Sequence, residues 1–185
     1  MATHLTLWQS HVEKWKECTR CSLCKTRKHV VLARGKVPAD VLIVGEAPGV
    51  SEDVLGRPFV GPAGKLLDEI VERALDGQYD YALTNLVACI PLGEDGSKTG
   101  EPPEESIEAC RPRLRELFQI ARPRLTVLVG KLATKHAKPS VYLKKEALCC
   151  DIIHPAAILR MDVSQQGLAM QRCVATIEAA LDDFS

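Results

Sequence analysis

Long apolar runs are missing from this sequence of 185 residues. No uninterrupted stretch approaches the roughly 18 residues that a membrane-spanning helix needs. Acids and ring nitrogens in MATHLTLWQSHVEKWKE (1–17) fill the place where a signal peptide would carry its apolar core. Net charge is missing too: 24 Lys and Arg balance 24 Asp and Glu, which argues against a protein that coats nucleic acid. There is no internal repeat, low-complexity tract or clear linker. No GxGxxG occurs, and GPAGK (61–65) lacks both P-loop spacing and the Ser or Thr that would follow it. What remains reads as one soluble, cytoplasmic domain over 1–185. The length suits a single core, and a hydrophobic share of 46% is ordinary for a globular chain.

Apolar runs alternate with helical patterns. DVLIVG (40–45), YALTNLV (81–87), LTVLVG (125–130) and ALCCDIIHP (147–155) read as strands. AGKLLDEIVERAL (63–75) spaces its apolar residues helically and stops at Gly77. PPEESIEACRPRLRELFQIAR (102–122) opens with proline and acids and closes with arginines, which suits the helix dipole, and Pro112 is expected to kink it or to join two helices. A short helix to about His136 and a closing helix over 164–183 complete the pattern. The alternation predicts an α/β fold: a three-layer α/β/α sandwich around a mostly parallel four-stranded sheet, with an N-terminal helix and cysteine loop (1–36) packed on it. Ligands of such sheets bind beyond the carboxyl ends of the strands, where Gly45-Glu46-Ala47-Pro48-Gly49, Thr84-Asn85, Gly130-Lys131 and His154-Pro155 stand.

Neutrality hides local unevenness. Cys18 to Ala39 holds six basic residues (Arg20, Lys25, Arg27, Lys28, Arg34, Lys36) and no acid; Leu117 to Lys145 holds seven (Arg122, Arg124, Lys131, Lys135, Lys138, Lys144, Lys145) apart from any acid. The two stretches would make a phosphate-binding surface if they share a face, and are otherwise solvated charges. Eight cysteines in a reducing compartment point to metal or buried thiols rather than disulfides. Cys18-x-x-Cys21-x-x-Cys24 has ligand spacing, and Cys89 and Cys110 could close a four-sulfur site. Spacing alone chooses neither the pair among the first three nor zinc over an iron–sulfur cluster. Cys149, Cys150 and Cys173 read as small buried apolar residues.

The blocks CTRCSLCKTRKHVV (18–31), VLIVGEAPGVSEDVLGRPFVGPAGKLLD (41–68), TNLVAC (84–89), ESIEAC (105–110) and IHPAAILR (153–160) stand in one order over nearly the whole chain. In that order they resemble the iron–sulfur uracil-DNA glycosylases, family 4 of their superfamily. The resemblance implies a DNA-repair enzyme that hydrolyses the N-glycosidic bond of deoxyuridine, releasing uracil and leaving an abasic site; it is expected to act as a monomer. It implies a structural [4Fe–4S] cluster held by Cys18, Cys21, Cys89 and Cys110, because Leu23, Arg27, Val30 and Val31 fit the family pattern when the pair is Cys18 and Cys21. Cys24 is then an extra thiol.

Such an enzyme must evert uracil and read it in a closed pocket. By the resemblance, Phe59 stacks on the base, worth about 1–3 kcal/mol, and Asn85 pairs with O4 and N3–H through one amide that both donates and accepts. Gly45 and Ala47 line the same pocket. His154 donates to uracil O2 as charge develops there. Ala47 stands where another glycosylase family has a water-positioning aspartate, so Glu52, with Glu46 second, is expected to orient water or stabilise the cationic sugar. Ile158 and Leu159 are the expected duplex wedge, and Arg160 the phosphate contact. Without the resemblance, Phe59 would read as core, Asn85 as a turn cap, His154 as a satisfied strand-end histidine, and Glu46 and Glu52 as loop-holding acids.

The chain departs from the family at Ala88 (usually Lys) and at Ile90-Pro91-Leu92 (usually Arg-Pro-Pro). Its 92–103 loop is longer and begins with acids at Glu94 and Asp95, and its 131–153 segment is about ten residues short. LGEDGSKTGEPP (92–103) holds no histidine of the kind a covalently trapping subgroup carries, so hydrolytic turnover is expected. The competing reading is a non-catalytic homologue that binds uracil or DNA and uses metal as a staple.

Overall fold

The strand Val41–Gly45 (β2) is buried at every position, and so is Leu125–Val129 (β4). A strand without a solvent face belongs inside a sheet covered on both sides. The computed structural model, which describes residues 4–92, 96, 100–143 and 147–184, sets these two strands side by side. Around them it adds β1 (Ala33–Gly35), β3 (Tyr81–Asn85) and β5 (Leu148–Ile152) in the order β1-β3-β2-β4-β5. Four strands run parallel; β1 pairs antiparallel with β3. The expected four-stranded sheet therefore has a fifth, antiparallel edge strand. The three residues Ala33-Arg34-Gly35 contain no apolar run that could announce it.

Strand periodicity divides the core into two layers. Val41, Ile43, Leu125, Val127 and Val129 point to one face, where α3 (Pro62–Leu75), α7 (Pro155–Ile158) and α8 (Val163–Asp182) cover them. Leu42, Val44 and Leu128 point to the other, under α4 (Glu104–Ala121), α5 (Lys131–His136) and α6 (Pro139–Tyr142). The N-terminal helix α1 (His4–Trp15) packs on α4. A short α2 (Val50–Leu55) follows β2, and a 3₁₀ turn (Ser22–Lys25) lies within the cysteine loop. Pro112 sits inside one continuous α4, neither dividing it nor joining two helices.

Two further expectations change. Ile158 is fully buried in the α3–α8 layer, because the turn of α7 aims it inward; only Leu159 and Arg160 stay exposed. Cys149 is exposed on the edge strand β5, whereas Cys173 is buried and Cys150 packs against the core. Glu94, Asp95, Lys144 and Lys145 lie outside the described residues. No helix among the described residues is long and apolar enough to cross a membrane.

Candidate active site

The four parallel strands deliver Gly45, Asn85, Gly130 and His154 to one end of the sheet, because each residue ends or directly follows its strand. Gly45 lies opposite Asn85 in the β2–β3 register. A Cβ on Gly45 would lie 2.4 Å from Phe59 Cζ and 2.6 Å from Asn85 Oδ1, so the bare backbone there is what lets ring and amide meet. Asn85 is 2% exposed, and its side-chain amide has no hydrogen-bond partner among the described residues. A buried amide is ordinarily satisfied; this one is free for a ligand.

Phe59 is held in an unusual way. Its φ of 56° is left-handed, a conformation costly for a bulky residue and concentrated at functional sites. Arg34 Nε donates to Pro58 O at 2.8 Å, its Nη2 donates to Phe59 O at 3.2 Å, and the same Nη2 pairs with Asp68. Gly64 admits the Phe59 backbone against α3, since a Cβ there would come within 2.1 Å of Phe59 O. Neither Arg34 nor Gly64 stood out in the sequence as part of a site.

Glu52 and its neighbour divide their work between two loops. Glu52 accepts from Gly49 N (3.1 Å), Val60 N (2.9 Å) and Gly61 N (2.9 Å), closing the first turn of α2 and gripping the segment after Phe59. Asp53, buried, accepts from Lys28 N (2.9 and 3.1 Å) and His29 N (3.3 Å) and so holds the cysteine loop. The carboxylate first expected to orient water is thus committed to three backbone donors. The half-buried carboxylate of Glu46 accepts from Leu132 N at 3.3 Å.

His154 caps α7: its Nδ1 accepts from Ala156 N at 3.1 Å. A backbone amide can only donate, so the neutral ring carries its proton on Nε2. Burial holds this imidazole below its ordinary value; Glu46 pulls the other way, and Arg160 adds to the lowering. A Cβ on Gly130 would meet both Glu46 Oε1 (2.6 Å) and His154 Cδ2 (3.2 Å), which brings carboxylate and imidazole together beside one glycine. Ala47 is half-buried beside them and brings no carboxylate.

Behind Asn85 lies a second feature. Cys18, Cys21, Cys89 and Cys110 line one small cavity of about 20 Å³, together with Trp15, Arg20, Arg27, Val30, Ala88, Ala109 and Arg113. Cys24 does not line it. Burial pushes the Cys89 thiol up to about 12; Arg27 opposes the rise, and Cys110, Cys21 and Cys18 add to it. Trp15 Nε1, Arg27 Nη1 and Arg113 Nε are buried donors without a partner among the described residues, and all three residues line this cavity. Four thiols, three guanidiniums and orphan N–H donors fit an anionic, thiolate-held group. Among the described residues, no group of three or more His, Cys, Asp or Glu side chains is arranged so that it could hold a metal ion.

The basic stretches spend part of their charge internally. Arg34 pairs with Asp68, Lys36 with Asp80, and Arg124 donates to Phe184 O while lying over its ring.

The family model described as the Uracil DNA glycosylase superfamily matches residues 32–178. A protein of Pyrobaculum aerophilum named type-4 uracil-DNA glycosylase is 37% identical over 163 residues, covering 78% of this chain and 81% of the relative. The protein of that name from Saccharolobus solfataricus is 35% identical over 134 residues (72% of this chain, 60% of the relative), and that from Sulfurisphaera tokodaii 34% over 171 (80% and 76%).

Proposed function

Since the chain belongs to the uracil-DNA glycosylase superfamily, we propose that it is a DNA-repair enzyme that hydrolyses the N-glycosidic bond of deoxyuridine in DNA, releasing uracil and leaving an abasic site. The observation that carries this reading is the buried, unpartnered Asn85 amide beside the Phe59 ring. One amide supplies a donor for uracil O4 and an acceptor for N3–H; cytosine presents the reverse pattern and leaves both groups unpaired. Phe59 provides the stacking face.

Bond breaking leaves negative charge on the departing base and positive charge on the sugar. His154 meets the first as a neutral Nε2–H donor to O2, its tautomer fixed by the Ala156 amide. A neutral donor suits this role because it stabilises the anion without handing over a proton. Glu46, next to His154 and lightly engaged, orients the attacking water or stabilises the sugar cation; Glu52 keeps the Phe59 segment in place instead. Leu159 and Arg160, exposed just beyond His154, meet the duplex as wedge and phosphate contact. Cys18, Cys21, Cys89 and Cys110 hold a [4Fe–4S] cluster, for which the cavity, its cationic lining and its orphan donors are the support. When bound, that cluster cross-links the N-terminal segment, the exit of β3 and α4.

The test is an oligonucleotide with one deoxyuridine, incubated with protein purified without oxygen and then treated with alkali. Strand scission at uracil and none at thymine or cytosine is expected, with Asn85→Ala and His154→Ala each lowering it on the order of 10²-fold or more. Binding of the oligonucleotide without base release would overturn the reading.

A further inference from the structure

Arg113 is 1% exposed and has no carboxylate within ion-pair distance among the described residues. Its guanidinium is spent on neutral oxygens: Nη1 donates to Thr84 Oγ1 at 3.0 Å, and Nη2 donates to Asn85 O at 2.6 Å and Leu86 O at 2.9 Å. Thr84 Oγ1 in turn donates to Leu32 O at 2.6 Å. The remaining Nε–H is buried without a partner, and the residue lines the thiol cavity. One side chain thus touches the backbone of the uracil-reading Asn85 and walls the compartment formed by Cys18, Cys21, Cys89 and Cys110. A fully buried cation is stable only against nearby negative charge. The four thiols of the cavity it lines can supply that charge once deprotonated around a bound cluster.

We propose that Arg113 is a positioning residue joining the two sites: its fork fixes the Thr84 hydroxyl and the carbonyls of Asn85 and Leu86, and its charge is balanced by the thiolate-held group in the neighbouring cavity. The inference rests on the cluster reading above and adds to it that uracil recognition depends on the cavity's charge. Three facts favour Arg over a mere packing residue. The fork spans the Thr84 hydroxyl through Nη1 and two successive carbonyls through Nη2, a planar spread that a point-charge ammonium does not reproduce. α4 places Arg113 one helical turn after Cys110, so the two share a face. β3 runs into Cys89 four residues after Asn85, so the same two elements carry cavity and reader.

The test compares wild-type, Arg113→Lys and Arg113→Met proteins, purified anaerobically, by iron and sulfide content, midpoint potential, and affinity for an oligonucleotide carrying non-hydrolysable 2′-fluoro-2′-deoxyuridine relative to the same strand with thymidine. In Arg113→Met the preference for the uracil strand is expected to fall about tenfold, and the potential to move to more negative values, since removing a nearby cation disfavours electron uptake. Arg113→Lys should keep the potential near wild type yet still lose preference, because charge survives and the fork does not. A wild-type protein without iron and sulfide overturns the cluster reading and this inference together. Iron at wild-type levels with unchanged uracil preference in Arg113→Lys overturns the inference alone, and holds even if Arg113→Met does not fold. An unchanged potential in a folded Arg113→Met overturns the charge balance.

Discussion

Gly45 and Asn85 face each other across the β2–β3 ladder, and the missing side chain of the first is what leaves room for the amide of the second. The pair sets up a steric test of the pocket that removes no functional group.

Gly45→Ala is expected to drive the new methyl into the Phe59 ring edge and Asn85 Oδ1, displacing both. Misplacement on the ångström scale costs catalysis on the order of 10²-fold. Because the sheet ladder is untouched, cluster absorbance and far-ultraviolet circular dichroism should stay at wild type while kcat/KM for uracil release collapses. Full activity in this variant would mean that base and Gly45 are not neighbours.

The pH profile should report His154. Burial holds its folded value below the unfolded value of about 6.5, so the native state favours the neutral ring. The associated stability is present above 6.5. It is lost as pH falls from there toward the folded value, because the unfolded chain takes up the proton first. Uracil release should therefore stay flat, as far as this group is concerned, from 6.5 upward, with an acid limb centred below it. His154→Gln should remove that limb from the rate profile and flatten the urea midpoint just below pH 6.5; a limb that survives the substitution belongs to another group.

Glu52 and Glu46 should separate in kind. Glu52→Gln can keep one acceptor but not three charge-assisted bonds, so it is expected to lower the melting temperature, in line with about 1.5–3 kcal/mol for such bonds, with a smaller effect on kcat. Glu46→Gln should leave the melt within a degree or two and reduce kcat with little change in KM. The reverse assignment of defects would return the water-orienting role to Glu52.

Replacing cysteines one at a time tests the cavity. Cys24→Ser is expected to retain iron and visible absorbance, since Cys24 stands outside the lining. Cys21→Ser or Cys89→Ser should lose both and melt earlier, because metal binding contributes to folding. Iron content that falls only in Cys24→Ser would reassign the N-terminal pair.

Much of this was legible in the residues, for a physical reason. Strands covered on both faces are apolar throughout, so β2 and β4 announce themselves, and Gly45, Asn85 and His154, at or just beyond the ends of β2, β3 and β5, mark where parallel sheets bind ligands. What stayed hidden depends on partners distant in sequence. Glu52 reads as a candidate base until the amides of Val60 and Gly61 are found upon it. Ile158 reads as a wedge until α7 turns it inward. Arg113, in a charged stretch of α4, carries no signal of its own in the sequence, because its role comes from the β3 exit that it meets beneath that helix.

The adjacent acids of α2 carry a consequence for anyone who would transplant this pocket. Glu52 reaches forward to residues 60–61 while Asp53 reaches back to residues 28–29, so the segment from 46 to 61 is not a portable cassette. A graft of it into a foreign scaffold would arrive with one carboxylate lacking its donors. Chimeras that exchange 28–61 as one block should express, and those cut between Gly35 and Val41 should not.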